Sequence, residues 1–293
     1  MLNLSDLQFS DSAPELSARS PDWAGGPKLP FKSDRTIDAS RSVTGRIGRA
    51  RPAARSRALG DTIITDFSVP ELGLIATRQS RKDGGPICPL DAGRQTKPVG
   101  FYYSVKCGRF MAYRSLDELH AFYNAEVDTE VVSYRLRPHT LEFDLYGRPC
   151  EYTPSREETL SDGGARIRDV KEALDPAHDS SHTAKLERAR LLYRSHGIPF
   201  DVEDRDHIEA LPSFKIIEHI QAYRRTSATA GDLQCVRETF GDRRSVPFIE
   251  VRDRFASAPH GFAKISAMIV RRLVGINLSD GLSHMTPIFR VRL

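Results

Sequence analysis

No part of this 293-residue sequence holds an apolar run near the roughly 20 residues that cross a bilayer, so no membrane-spanning helix and no membrane partner are expected. The opening residues, Met1 to Asp6, lack the basic stretch and apolar core of a secretory signal, and the cytoplasm is the expected compartment. Cysteine is scarce. Cys88, Cys107, Cys150 and Cys235 stand far apart with no C-x-x-C pair, which reads as thiols in a reducing compartment rather than a disulfide frame or a zinc site. The histidines, including His120, His139, His178, His182 and His196, show no metal-ligand spacing. Residues 1–95 have little apolar periodicity and much Pro, Gly and Ser, so they read as an extension with one short strand, DTIITDFSV (61–69), inside it.

What is present suits a globular protein: charged residues make up 28% and hydrophobic residues 39%, outside the ranges of disordered or membrane chains. The length leaves room for two compact domains and a tail. A net charge of +4 says little by itself, but its distribution is uneven. From Arg35 to Arg57 the only acid is Asp38, and the rest is mostly Arg, Ser, Ala and Gly, with Arg46, Arg49 and Arg51 at its centre. Such a run buries no core. It reads either as a solvated tail or as a strap along the phosphates of DNA, adding salt-sensitive affinity without sequence preference.

Beyond residue 95 the texture changes. FYYSV (101–105) and RFMAY (109–113) read as two strands around a turn at Cys107 and Gly108. Ser115 is placed to cap a helix, with Glu118 three residues later to complete a capping box and Leu116, Leu119, Phe122 and Tyr123 as its apolar stripe. VVSYRL (131–136) is a strand by β-branched content; TLEFDL (140–145) and RPCEYT (148–153) flank Tyr146 and Gly147 as a hairpin. ARIRDVK (165–171) is a further strand, 183–196 an amphipathic helix stopped by Gly197, and 198–202 a last strand. Residues 96–210 therefore read as an α/β domain, a mixed sheet flanked by helices. Residues 211–293 read as a separate α+β domain: helices at 211–225, 230–240, 247–255 and 261–273, then two strands within 275–282 and 286–291. Helices followed by a β-ribbon are the order of elements in a winged helix. On that reading the helix 261–273, with Lys264, Arg271 and Arg272, is the candidate for a DNA groove.

The region from Tyr152 to Lys171 carries the chemistry. Asp169 and Lys171 sit at i and i+2 of one strand and so share a face, and Glu118 on the preceding helix can approach that face. Paired carboxylates that hold Mg²⁺, with a lysine beside the attacking water, are the outline of a metal-dependent nuclease site. The outline has a gap, because Ser155 stands where an aspartate is expected. An acid-x-Lys pair alone is also what a solvated strand shows, and Glu118 alone is also a capping residue.

With these pieces in order, residues 101–225 resemble the TnsA-type endonucleases of heteromeric transposases, members of the PD-(D/E)XK restriction-endonuclease-like superfamily. The pieces are Tyr113 to Glu118, Val131 to Pro138, Tyr152 to Ser155, Asp169 to Lys171, the helix from Ala184 and the run 211–225; Ile269 to Leu278 is similar to the end of the family's winged-helix part. The resemblance implies a restriction-endonuclease-like sheet followed by a winged helix. Its implied function is DNA binding and Mg²⁺-dependent nicking of transposon ends, beside a DDE-type transposase or a transposition regulator. It assigns catalysis to Glu118, Asp169 and Lys171, and metal binding to Glu118 and Asp169. Arg114 replaces the glutamate that often opens the helix motif, and Ser155 replaces the aspartate that bridges the metals. Glu157, two residues after Ser155, is the acid that would reach back to the metals if the strand continues. The alternative implied by the same departures is a catalytically silent DNA-binding or scaffolding subunit.

Overall fold

The strand alternation and the Ser115 cap recur in a computed structural model, which describes residues 61–88, 99–170, 176–210 and 212–291, with side chains from 182 onward in the helix that begins at 176. All of these belong to one compact unit, Ser56–Leu293. In chain order the elements are β1 (Thr62–Asp66), β2 (Ala76–Arg81), β3 (Gly100–Ser104), β4 (Arg109–Tyr113), α1 (Leu116–Val127), β5 (Val131–Leu136), β6 (His139–Leu145), β7 (Arg148–Tyr152), β8 (Arg156–Leu160) and β9 (Ala165–Val170). Then follow α2 (Pro176–Ser195), β10 (Phe200–Glu203), α3 (Arg205–Ile208), α4 (Ser213–Ala222), α5 (Ala230–Phe240), β11 (Ser245–Pro247), α6 (Phe248–Arg252), α7 (Ala258–Val270), β12 (Val274–Ile276) and β13 (Pro287–Arg290). The α/β class expected from the sequence is therefore observed.

The expected single mixed sheet is divided. One sheet has the order β1-β2-β6-β7 and is antiparallel throughout; the other has the order β5-β8-β9-β10, with only β10 parallel to its neighbour β9. The hairpin of β1 and β2 lies within what the sequence presents as extension, yet β2 pairs with β6 from Ala76–Phe143 to Ser80–His139. Strand β8 is the continuation on which the reach of Glu157 depends. Its sequence is polar on both faces, so no alternation marks it, and what holds it is ionic: Arg156 and Glu158 are both buried and bonded to each other at 2.8 Å.

Local rules explain the elements that the sequence does show. Ser115 Oγ accepts the Glu118 backbone N–H at 3.1 Å and caps α1. Between β6 and β7, Tyr146 (φ 56°) and Gly147 (φ 75°) are both left-handed, as a two-residue hairpin turn matched to the strand twist demands. Burial then fixes the layers. Tyr102, Phe122 and Tyr134 join the β3–β4 hairpin, α1 and β5, while Leu141, Tyr152, Ile167, Leu192, Tyr193 and Phe200 fill the space between α2 and the two larger sheets. A buried side chain of this size contributes about 1.5–3 kcal/mol.

The C-terminal part is built around α7. Ile265, Met268, Ile269 and Val270 are each at most 1% exposed, and α1, α4 and α6 pack against it. Gly261 is required there: a Cβ would stand 2.3 Å from the Arg252 carbonyl oxygen. The helix expected to enter a DNA groove is thus a core helix, buried along most of its length from Gly261 onward. Lys264 is spent on Asp232 and the Ser227 carbonyl, both at 2.7 Å, and Arg272 Nε on the Thr129 carbonyl at 3.1 Å. The short β11, which the sequence did not signal, pairs with β13 to give a sheet of order β11-β13-β12. No helix among the described residues is long and apolar enough to cross a membrane.

Candidate functional site

Because β8 and β9 are neighbours, the residue before β8 meets the end of β9. Ser155 Oγ donates to Asp169 Oδ1 at 2.6 Å, and its backbone N–H donates to the same oxygen at 3.1 Å. The hydroxyl also accepts the Val170 N–H at 3.0 Å, so it locks both strands. Tyr152 OH donates to Asp169 Oδ2 at 2.9 Å. Both carboxylate oxygens of Asp169 are therefore held by protein donors. Burial pushes its carboxyl above the ordinary range, an effect that the hydrogen bonds from Ser155 and Tyr152 only partly offset.

Glu118 lines the same cleft, about 330 Å³ in volume, together with Ser155 and Asp169. Its Oε2 accepts the Arg114 N–H at 2.6 Å and its Oε1 the Arg137 guanidinium at 3.3 Å. The first bond reaches one residue beyond the cap, so Ser115 and Glu118 form half of the expected capping box. Arg137 is a participant that the sequence did not suggest. Its guanidinium also donates to the carbonyls of Cys88 (3.1 Å) and Ala112 (3.0 Å), and its own N–H donates to the Ser155 carbonyl at 2.9 Å. Its φ of 43° is a left-handed conformation that a non-glycine residue holds only when its surroundings fix it. The sole hint in the sequence is its place before Pro138, which disfavours ordinary helical backbone there.

The remaining predicted residues fall elsewhere. Lys171 lies outside the described residues, as do Arg46, Arg49 and Arg51. Glu157 does not join Glu118 and Asp169. The strand does continue, as the reach-back required, but Glu157 stands opposite Ile167 and bonds Arg135 at 2.6 Å and Arg78 at 3.4 Å. His139 Nδ1 is 3.6 Å away. Burial alone would raise the Glu157 carboxyl; the His139 ring and the Arg135 guanidinium outweigh it and hold the group at about 2. A depressed carboxylate adds stability that is present above its ordinary 4.5 and is lost as pH falls through about 2. Asp169, raised, acts in the opposite sense, favouring the fold below its ordinary 3.8 and losing that advantage as pH rises through its raised value. Urea unfolding between pH 4.5 and 2 is therefore expected to show a steep loss of stability that Glu157→Gln flattens. Equal slopes in the two proteins would show that the Glu157 pairs contribute nothing.

Among the described residues the cleft brings Arg114, Arg137 and Lys185 beside three carboxylates, Glu118, Glu151 and Asp169. A hard dication wants several free oxygens and an excess of negative charge. Here Ser155 supplies a hydroxyl already committed to Asp169, and Arg137 competes for Glu118. Among the described residues no group of three or more His, Cys, Asp or Glu is placed to hold a metal. The described side chains do not fit the ion. No protein-family model matches this sequence, and no curated protein matches it either.

Proposed function

We propose that this chain is a nuclease-fold DNA-binding subunit, TnsA-like in architecture, whose motif site does not cut DNA. It would act in transposition or recombination beside a DDE-type transposase or a transposition regulator. The observation that carries the reading is the occupation of both motif carboxylates by protein donors, Asp169 by Ser155 and Tyr152, and Glu118 by Arg114 and Arg137. The strand order β5-β8-β9-β10, preceded by α1 and with α2 between β9 and β10, supports the restriction-endonuclease-like expectation. The order α5-β11-α6-α7-β12-β13 supports the winged-helix expectation, with the difference that α7 is a core helix and leaves groove reading to other parts. DNA affinity on this reading comes from phosphate contacts and falls with salt.

The test is incubation of the full chain with supercoiled plasmid and Mg²⁺ or Mn²⁺, alone and with a transposase. Salt-sensitive binding to duplex DNA without nicking is expected, and it should persist in Lys171→Ala. Metal-dependent nicking that Lys171→Ala abolishes would overturn the silent reading, and failure to bind any DNA would overturn the whole of it. One observation favours a second reading, an active Mg²⁺-dependent endonuclease: Glu118, Ser155 and Asp169 do converge on one cleft. On that reading Glu118, Asp169 and Lys171 remain the working residues. Ser155→Asp should then raise nicking above that of the unaltered chain, whereas the silent reading expects no nicking from the unaltered chain.

A further inference from the structure

A second cleft, about 430 Å³, lies away from the motif residues and is lined by Tyr103, Val105, Arg224, Arg225 and Arg271. Among the described residues none of its three arginines is ion-paired. Arg271 bonds the Ala267 carbonyl and Arg224 the Gln221 carbonyl, both at 2.8 Å, and Arg224 Nε is buried with no partner. Arginines gathered without a carboxylate repel one another, so an anion that neutralises them is favoured.

The β3–β4 hairpin continues this cleft with aromatic rings. Tyr103 stands opposite Phe110, and Phe101 opposite Ala112, so these residues share one face of the ribbon while Tyr102 and Met111 point into the core. Tyr103 and Phe110 meet edge to face at 5.3 Å. Phe101 is 71% and Phe110 67% exposed, so their ring faces stand open beside Tyr103 on one side of the ribbon. Guanidinium groups and open ring faces side by side suit a flexible polyanion that carries flat apolar groups.

We propose that this surface binds single-stranded DNA, with backbone phosphates on Arg224, Arg225 and Arg271 and unpaired bases stacked on Tyr103, Phe110 and Phe101. The inference deepens the DNA-binding reading above by naming the form of DNA and the face that takes it. Duplex DNA offers the arginines phosphates but keeps its base faces inside the stack, so only the unpaired strand uses both halves of the surface.

Fluorescence anisotropy of the full chain with a labelled oligo-thymidine strand, and with a duplex of equal length, tests it. The strand is expected to bind more tightly. Phe101→Ser/Phe110→Ser should weaken strand binding about tenfold or more and leave the duplex unchanged, since each stacked base contributes by ring contact rather than charge. Arg225→Gln/Arg271→Gln should lower the slope of log affinity against log salt for the strand by roughly 1.4, at about 0.7 per phosphate lost. Arg46→Gln/Arg49→Gln/Arg51→Gln, which alters only the basic run, should weaken strand and duplex alike and keep the preference. Duplex binding with no preference for the strand, or a preference that the phenylalanine variant retains, overturns this proposal and leaves the earlier reading standing. Absence of binding to either form overturns both. If the phenylalanine variant instead turns a dimer into a monomer at unchanged strand affinity, the face is an interface between copies, and the proposal fails.

Discussion

Replacing Arg156 by methionine is expected to lower the unfolding free energy by about 3–5 kcal/mol, the range seen when one partner of a buried ion pair is removed. Arg156 is 2% exposed and joins two carboxylates, Glu158 at 2.8 Å and Glu203 at 2.7 Å. Burial opposes its charge, and Glu203 and Glu158 more than offset that, holding the guanidinium well above its ordinary range. Methionine fills similar volume, so the loss is electrostatic rather than a cavity. Glu158 retains Arg166 at 2.7 Å, and Glu203 retains Arg168 at 3.2 Å, which places the expectation toward the lower end. The double variant Arg156→Met/Glu158→Leu should recover part of the loss, because an apolar pair carries no desolvation cost. A thermodynamic cycle in urea measures the coupling. A single-variant loss below about 1 kcal/mol, the scale of an exposed pair, would show that the network is solvated in practice.

That network also explains what the sequence conceals. Elements whose stability is local were legible: the Ser115 cap, the Tyr146–Gly147 turn, β5 by its β-branched residues, and α5, whose Thr229 and Asp232 form a full capping box. Elements whose stability comes from distant partners were not. β8 shows no strand pattern of its own because its partners are β5, β9 and Glu203, and β2 reads as linker because its partner β6 lies about sixty residues on. The helix α7 gives the reverse case, since Lys264 and, just past its end, Arg272 look like an exposed basic face until Asp232 and the Thr129 carbonyl are seen to take them.

The same division runs through the candidate site. Ser155 meets Asp169 from the turn before β8, not from the strand 148–153, which joins the other sheet as β7, and the cap brings Glu118 to the start of α1. Occupancy is invisible to spacing. That Ser155 donates to Asp169 while accepting from Val170, that Tyr152 takes the other oxygen, and that Arg137 reaches Glu118 depend on three elements meeting. Glu157 illustrates the limit. Its alternation relative to Ser155 was right, but the adjoining arginines, Arg78 and Arg135, decide where its carboxylate goes.

Substituting Glu126 by leucine is expected to cost about 3–5 kcal/mol, from several buried donors each left without an acceptor at roughly 1–3 kcal/mol and partly relieved by rearrangement. Glu126 is fully buried at the C-terminal end of α1. It accepts hydrogen bonds from Ser104 Oγ, from Tyr134 OH at 3.0 Å, and from the backbone N–H groups of Val105 (3.2 Å) and Lys106 (3.4 Å). Lys106 adds a second tie, its ammonium bonding the carbonyls of Ala125 and Val131 at 2.8 Å, with burial lowering its pKa to about 8. These contacts fasten the β3–β4 hairpin, and with it Phe101, Tyr103 and Phe110, to α1 and β5. Loss of Glu126 therefore reaches the surface as well as the core. Glu126→Gln keeps one acceptor oxygen and should cost roughly half as much, in line with about 0.5–1.5 kcal/mol per hydrogen bond to a neutral group. Amide hydrogen exchange should show the hairpin opening in Glu126→Leu before β6, β7 and α7 do, and strand binding should weaken in step with that opening. Uniform protection across hairpin and core in the leucine variant would show that Glu126 supports the whole unit alike and does not anchor the hairpin in particular.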